Sequence, residues 1–126
     1  MGGGDLRRFD VELFIVHPSL DPSQITAALG LNPKVVRKSD DVRWRYSVRY
    51  EVPDQWFAAK VTEFVDRLVP HKEYLRQIRL TGGTVSLIVQ FLGDGYFGDE
   101  LPRATLAKLV DLELDLAIEC FLVPQS

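Results

Sequence analysis

Apolar and polar residues alternate along several stretches of the chain, and each stretch is bounded by proline, glycine or acidic residues. A two-residue period places every second side chain on one face, as in a strand with one side against a core. Four stretches carry this period clearly, and a shorter fifth candidate lies between the first two. In chain order the predicted strands are Arg8 to His17, Lys34 to Lys38, Val42 to Val52, Thr84 to Leu92 and Glu113 to Val123.

The segment after the first predicted strand carries strong start and stop signals for a helix. Asp21 suits the N-cap, and Pro22 suits the first helical position. Gly30 suits the left-handed position that ends many helices, and Pro33 prevents continuation. The face of this helix predicted to cover the sheet consists of Ile25, Ala28 and Leu29.

Apolar residues recur at helical spacing in two further segments. A helix that opens at Pro53-Asp54 is broken at Pro70 and is followed by a second short helix from Lys72 to Arg79. A last helix is predicted from Leu101 to Val110. The residues of these helices expected to face the core are Trp56, Phe57, Val61, Phe64, Val65, Leu68, Leu75, Ile78, Leu106, Leu109 and Val110.

The resulting order, β-α-β-β-α-β-α-β, predicts an α+β fold. We expect a two-layer sandwich with a mostly antiparallel sheet and helices on one face, and a ferredoxin-like variant stays open. Residues 1–7 are predicted to be a flexible, glycine-rich N-terminus, and residues 8–126 to form a single domain.

Composition narrows the class of protein. The chain has 126 residues, of which 46% are hydrophobic and 26% charged, as in globular domains. Its net charge of −3 disfavours non-specific nucleic-acid binding. Cys120 is the sole cysteine, which excludes an intrachain disulfide and a cysteine zinc site, and its apolar setting predicts a buried, inert thiol. No apolar run is long enough to span a membrane, and we expect a cytoplasmic bacterial protein.

The stretch FIVHPSLDPSQITAALGLNP resembles the signature of the bacterial domain of unknown function family DUF4279. The similarity extends through Trp44, the Leu68 to Pro70 segment, the strand from Thr84 to Leu92 and the closing LPRATLAKLVDLELDLAIECF. Membership implies a small α+β domain. It implies no activity, because the family is named for lacking one.

His17 is a weak catalytic candidate, because it stands at the end of the first strand beside Ser19. A small hydrolase could use it as a general base in a cleft, but no triad pattern accompanies it, and a structural role in the turn is favoured. The two histidines of the chain, His17 and His71, do not have the spacing of a metal motif. We therefore predict no metal site and no cofactor.

Gly93 to Gly98 matches the dinucleotide fingerprint G-x-G-x-x-G after a strand and before a helix. Asp94, Asp99 and Glu100 would oppose a pyrophosphate, so the segment is interpreted as a flexible loop. Within it, Tyr96 and Phe97 are candidates for a ligand or partner contact.

Arg43, Arg45 and Arg49 share one face of the third strand, while its aromatic residues Trp44, Tyr46 and Tyr50 share the other. Stacking of nucleic-acid bases would require both on the same face. We favour pairing of these arginines with acidic residues of neighbouring strands over a nucleic-acid function, which ranks third. The acidic candidates are Asp10, Glu12, Glu113, Asp115 and Glu119.

The polar face of the sheet also carries apolar residues, which suggests a surface for association. These are Phe14, Val16, Ile88, Leu92, Phe121 and Val123, predicted to cluster at one end. The leading hypothesis is therefore a non-catalytic protein-interaction or ligand-binding module, homodimeric through the open sheet face. The residues proposed to contact a partner or ligand are Tyr96, Phe97, Phe14, Phe121, Arg43 and Arg45.

Overall fold

The computed structural model describes residues 7–54, 56–93 and 95–121. These segments form five strands: β1 (Arg7–His17), β2 (Val35–Lys38), β3 (Val42–Val52), β4 (Thr84–Leu92) and β5 (Asp115–Phe121). They also form four α-helices: α1 (Pro22–Leu29), α2 (Ala58–Leu68), α3 (Lys72–Leu80) and α4 (Arg103–Asp111). One turn of 3-10 helix, Val69–His71, joins α2 to α3 at the proline where a break was predicted. Residues 1–6 of the predicted N-terminal tail, and Val123 of the last predicted strand, lie outside the described residues, whereas Arg7 of that tail belongs to β1.

The strands form one mixed sheet in the order β2-β3-β1-β4-β5. All neighbours are antiparallel except β4 and β5, which are parallel. β3 lies between β1 and β2, so the first four strands have the split β-α-β arrangement of the ferredoxin-like motif. Helix α4 and strand β5 add a fifth strand beside β4. The predicted α+β sandwich with a mostly antiparallel sheet is confirmed.

The core lies between the helices and one face of the sheet, with β1 at its centre. Phe9, Val11, Leu13 and Ile15 are fully buried on this face. Trp44 of β3 is also fully buried, and its indole N–H donates to Thr26 Oγ1 of α1 at 3.1 Å. The alternating pattern therefore correctly predicted which side of the central strands faces the core.

Helix α1 begins and ends as its sequence predicts. The carboxylate of Asp21 accepts a hydrogen bond from the Ser23 backbone N–H at 2.9 Å, and Pro22 occupies the first turn. Gly30 adopts a left-handed φ of 67°, and its N–H donates to the Thr26 carbonyl. Ile25 and Leu29 are buried, but Ala28, expected against the sheet, is exposed because this short helix contacts the sheet along a narrower stripe.

The start of α2 was predicted incorrectly. The helix begins at Ala58, and Trp56, expected to face the core, precedes it and is 54% exposed. The Asp54 carboxylate accepts a hydrogen bond from the Trp56 backbone N–H at 3.0 Å. The helix therefore begins about one helical turn later than the cap signal at Asp54 indicates.

The largest departure from the prediction lies in α4 and β5. Leu106 and Val110, expected to turn inward, are exposed, whereas Thr105 and Leu109 are buried. Helix α4 contacts α2 through Thr105, whose hydroxyl bonds that of Thr62 at 2.9 Å. That contact rotates Leu106 and Val110 away from α2, since they lie roughly 100° and 140° further around the helix.

β5 begins at Asp115, two residues later than predicted, because Glu113 adopts a left-handed φ of 58° in the turn after α4. Its residues Leu116, Ile118 and Cys120 lie in register with Leu87, Val89 and Phe91, which belong to the core face. All three are nevertheless exposed, so the expectation of a buried Cys120 is wrong. β5 is an edge strand, and the helical layer does not extend over it.

Candidate functional site

His17 closes the turn between β1 and α1. Its Nδ1 accepts hydrogen bonds from the backbone N–H groups of Ser19 at 3.0 Å and Leu20 at 2.9 Å. This leaves Nε2 as the protonated nitrogen, which donates to Thr81 Oγ1 at 2.8 Å. Both ring nitrogens are thus occupied, and none of the described carboxylates orients the ring. His17 is therefore a buried side chain that joins two turns.

The loop that matches the dinucleotide fingerprint has a structural role at α2. The Asp99 carboxylate accepts hydrogen bonds from the backbone N–H groups of Ala58 at 2.8 Å and Phe57 at 3.1 Å. These bonds, with one from the Glu100 N–H, hold the pKa of Asp99 below its ordinary value. Two backbone N–H groups at this end of α2 are therefore occupied by the chain's own carboxylate. Asp94 of the fingerprint lies outside the described residues.

The two aromatic residues of this loop differ in their packing. Phe97 folds back onto the core, with its ring centroid 4.6 Å from that of Phe91, whereas Tyr96 is exposed. Together with Phe57, Ile118 and Cys120 they line an open groove of 470 Å³. The groove runs onto the exposed side of β5.

We define the β5 edge surface as exposed residues of α4 together with those of β5 that share the face of Leu87 and Val89: Leu106, Val110, Leu116, Ile118 and Cys120. Val110 is 77% exposed and Ile118 is 63% exposed. Beside them the outer edge of β5 pairs with no strand among the described residues. An unpaired strand edge with apolar neighbours is a template for pairing with another chain.

On the opposite, open face of the sheet, two of the three predicted arginines pair with acids of β1. Arg49 forms a bidentate pair with Asp10, at 2.7 and 3.1 Å, and Arg45 donates to Glu12 at 2.9 Å. Asp10 and Glu12 are both buried. The predicted cross-strand pairing is therefore confirmed for these two arginines. Arg43 of β3 instead pairs with Asp41, which lies in the turn just before that strand.

A second cavity, of 330 Å³, lies on this open face over β2 and β3. We name it the basic cavity, after the four cations that line it: Lys34, Arg37, Arg43 and Arg45. Glu12 lies at its floor. Burial raises the pKa of Glu12, and the adjacent Arg45 guanidinium opposes that rise. Sequence reasoning identified Arg43 and Arg45 but missed Lys34 and Glu12 as members of one site, because the strand register brings them together.

The apolar residues of the open face are divided between its two ends. Phe14 and Val16 lie across from Ser86 and Thr84, whereas Leu92 pairs with Phe121 at the far end. Arg45 lies over the Phe14 ring at 4.1 Å, and Ile88 is buried. Of the contact candidates, Tyr96 and Phe97 thus lie at the groove, Phe121 at the end of β5, and Phe14, Arg43 and Arg45 by the basic cavity.

The described residues contain neither a cluster of metal ligands nor a membrane-spanning helix. No three side chains of histidine, cysteine, aspartate or glutamate in them come together as metal ligands would. No helix in the described part of the chain has the length and apolar character needed to cross a membrane.

The fold defines a small two-layer α+β domain with a ferredoxin-like strand order and an added edge strand. The family model described as "Domain of unknown function (DUF4279)" matches residues 7–120, which is most of the chain. The chain therefore belongs to the DUF4279 family. Comparison with curated proteins and with solved structures found no match.

Proposed function

We propose that this domain is a non-catalytic protein-interaction module that forms a homodimer through the β5 edge surface. The observation that carries the proposal is the conflict between pattern and burial in β5. Its alternation is that of a strand with a covered face, yet Leu116, Ile118 and Cys120 are exposed. A second copy that extends the sheet would cover the same residues.

The sequence and length of β5 together favour one register for such a dimer, because an axis at Ile118, its middle residue, pairs every residue of the strand. A two-fold axis normal to the sheet pairs antiparallel strands and keeps the helices of both copies on the same side. With the axis at Ala117, Asp115 would lie opposite Glu119 of the second copy. With the axis at Glu119, the Glu119 carboxylates of the two copies would lie opposite each other. Centred on Ile118, the axis places no acid opposite another acid, which avoids like-charge repulsion.

The same register joins the apolar residues of the two copies. Ile118 lies opposite Ile118 of the second copy, and Leu116 lies opposite its Cys120. Leu106 and Val110 of α4 are also exposed in a single chain. The residues left exposed in one chain thus cover each other in two, as in obligate interfaces with an apolar centre.

Two observations favour this edge over the open sheet face as the dimer contact. The apolar residues of the open face are split between its ends, and Arg45 already covers Phe14.

The bonding of His17 to its own turn and to Thr81 supports a non-catalytic role. The burial of Trp44 on the core face likewise disfavours nucleic-acid binding, since the aromatic residues face away from the arginines.

The test is the mass of the full chain in solution, measured by light scattering and native mass spectrometry. We expect twice the chain mass for the unaltered protein and a single chain mass for Ile118→Lys, because a charge at the centre of an apolar contact opposes association. A chain that stays monomeric at every accessible concentration would contradict the proposal.

Leu80→Lys is the matched control. Leu80 lies at the end of α3 and is 65% exposed, so the substitution adds the same charge at the same exposure but outside the β5 edge surface. We expect this variant to remain dimeric. If both variants dissociate equally, the contact does not lie at β5.

A further inference from the structure

The basic cavity concentrates positive charge in a chain whose net charge is −3. Four cationic side chains line it, and Glu12 is the one carboxylate among its lining residues. Arg45 is held in place by its bond to Glu12 and by the Phe14 ring beneath it. It therefore presents a preoriented guanidinium, which is a common way to recognise carboxylate and phosphate groups.

Arg37 and Arg43 lie directly opposite each other on β2 and β3. Side chains directly opposite in a sheet share a face and approach closely, so two like charges there destabilise the pair. Arg43 is partly balanced by Asp41 at 3.3 Å, but Arg37 has no ion pair within the described segments. Lys34 likewise has none, and it lies next to Val35 on the same rim. An anion placed between these cations would relieve their repulsion.

We infer that the basic cavity binds a small organic anion carrying a phosphate or carboxylate group. Its volume of 330 Å³ lies at the lower end of the range of small-molecule pockets. The anionic group contacts Arg37, Arg43 and Lys34. The ion pair of Arg45 with Glu12 forms the floor of the cavity and orients this group. None of the described residues that line the cavity is aromatic, so they offer no ring on which a nucleic-acid base could stack, which favours a small molecule over a single strand.

This site lies over β2 and β3, and the proposed dimer contact lies at β5, on the other edge of the sheet. The two proposals are therefore independent. The Ile118→Lys variant should bind anions as the unaltered protein does, whether or not it is a dimer.

Two anions serve as probes, inorganic pyrophosphate for the phosphate group and citrate for the carboxylate group. Calorimetric titration of the full chain should show saturable binding of at least one of them, weakened by added salt because the contact is charged. The ratio of the two affinities distinguishes a phosphate ligand from a carboxylate ligand. Arg37→Gln should weaken the preferred anion about tenfold or more, as expected for loss of a charge-assisted hydrogen bond.

Arg8→Gln is the control, because Arg8 is an arginine at the far end of β1 whose partner, Glu51, is also exposed. It removes the same charge outside the cavity, and its affinity should stay within about twofold of the unaltered protein. Arg37 makes no ion pair among the described residues and faces the like charge of Arg43, so its substitution should not lower the thermal midpoint. Absence of saturable binding at millimolar anion, equal losses in both variants, or binding of a single-stranded oligonucleotide alone would overturn the inference.

Discussion

β1 and β5 have the same alternation of apolar and polar residues, but their burial is opposite. Leu13 and Ile15 of β1 are fully buried, whereas Ile118 of β5 is 63% exposed. β1 has a strand on each side and the helical layer above it. β5 has β4 on one side only, and α4 turns Val110 away from the core.

The difference shows what alternation encodes. It determines which side chains share a face of a strand, because successive Cβ atoms point to opposite sides. It does not determine whether another element covers that face. Whether a face is covered depends on the strand order and on how far the helices extend over the sheet. In a homodimer, the second copy can cover it. The proposed dimer makes β5 an interior strand, and its residues then have the environment that their pattern predicts.

The largest expected effect is the difference in free energy of unfolding that is lost when a side chain is truncated in β1 or in β5. Leu13→Ala should lower the free energy of unfolding by about 3 kcal/mol, because it leaves a cavity in the core. Ile118→Ala should cost about 0.5 kcal/mol when the protein is dilute enough to be monomeric, since the side chain is then exposed. Urea unfolding of both variants at matched concentration measures the two values.

Protein concentration sharpens this comparison. The cost of Leu13→Ala should not depend on concentration, whereas that of Ile118→Ala should grow as the unaltered protein dimerises and gains stability by association. If Ile118→Ala costs as much stability as Leu13→Ala at every concentration, then Ile118 is covered within a single chain. The contrast between β1 and β5 would then be lost.

A smaller effect tests whether Asp99 holds the loop beside β5 against the start of α2. Asp99→Ala should lower stability by about 1 kcal/mol at neutral pH, because α2 loses the carboxylate at its N-terminus. The pKa of Asp99 is lowered in the folded protein, chiefly by the Ala58 N–H bond, relative to an ordinary value of 3.8. Its contribution is therefore present above that value and is lost as the pH falls through the lower folded pKa.

Thermal unfolding of the two proteins as a function of pH gives the readout. The difference between the unaltered chain and Asp99→Ala should be constant near neutral pH and should shrink below pH 3.8. A difference that persists unchanged in acid would show that the carboxylate charge is not what holds the loop against α2. The exposure of β5 could then reflect a loosely attached loop.

Much of the fold was predictable because it depends on local signals. The cap of α1 at Asp21, its end at Gly30 and the break at Pro70 all act within a few residues, and they were confirmed. The alternation of β1 and β3 also predicted the pairing of Arg45 and Arg49 with acids, since those faces must meet in the sheet.

The rest depends on contacts between distant segments. Asp99 caps a helix that begins 41 residues earlier, and no local pattern indicates such a bond. The basic cavity likewise requires the β2–β3 register, which places Arg37 opposite Arg43. The exposure of Leu106 and Val110 follows from how α4 meets α2, and helical periodicity alone does not reveal it.

The most direct test of the proposed dimer is an engineered disulfide at its two-fold axis. In the Ile118-centred register, Ile118→Cys in a Cys120→Ser background places two thiols directly opposite each other, at a separation close to that of a disulfide. The native Cys120 residues would be about 13 Å apart, four residues along the paired strands. Mild oxidation should therefore cross-link the Ile118→Cys chain into a covalent dimer and leave the unaltered chain uncross-linked. Cross-linking of both chains to the same extent, or of neither, would contradict pairing of β5 across a two-fold axis at Ile118.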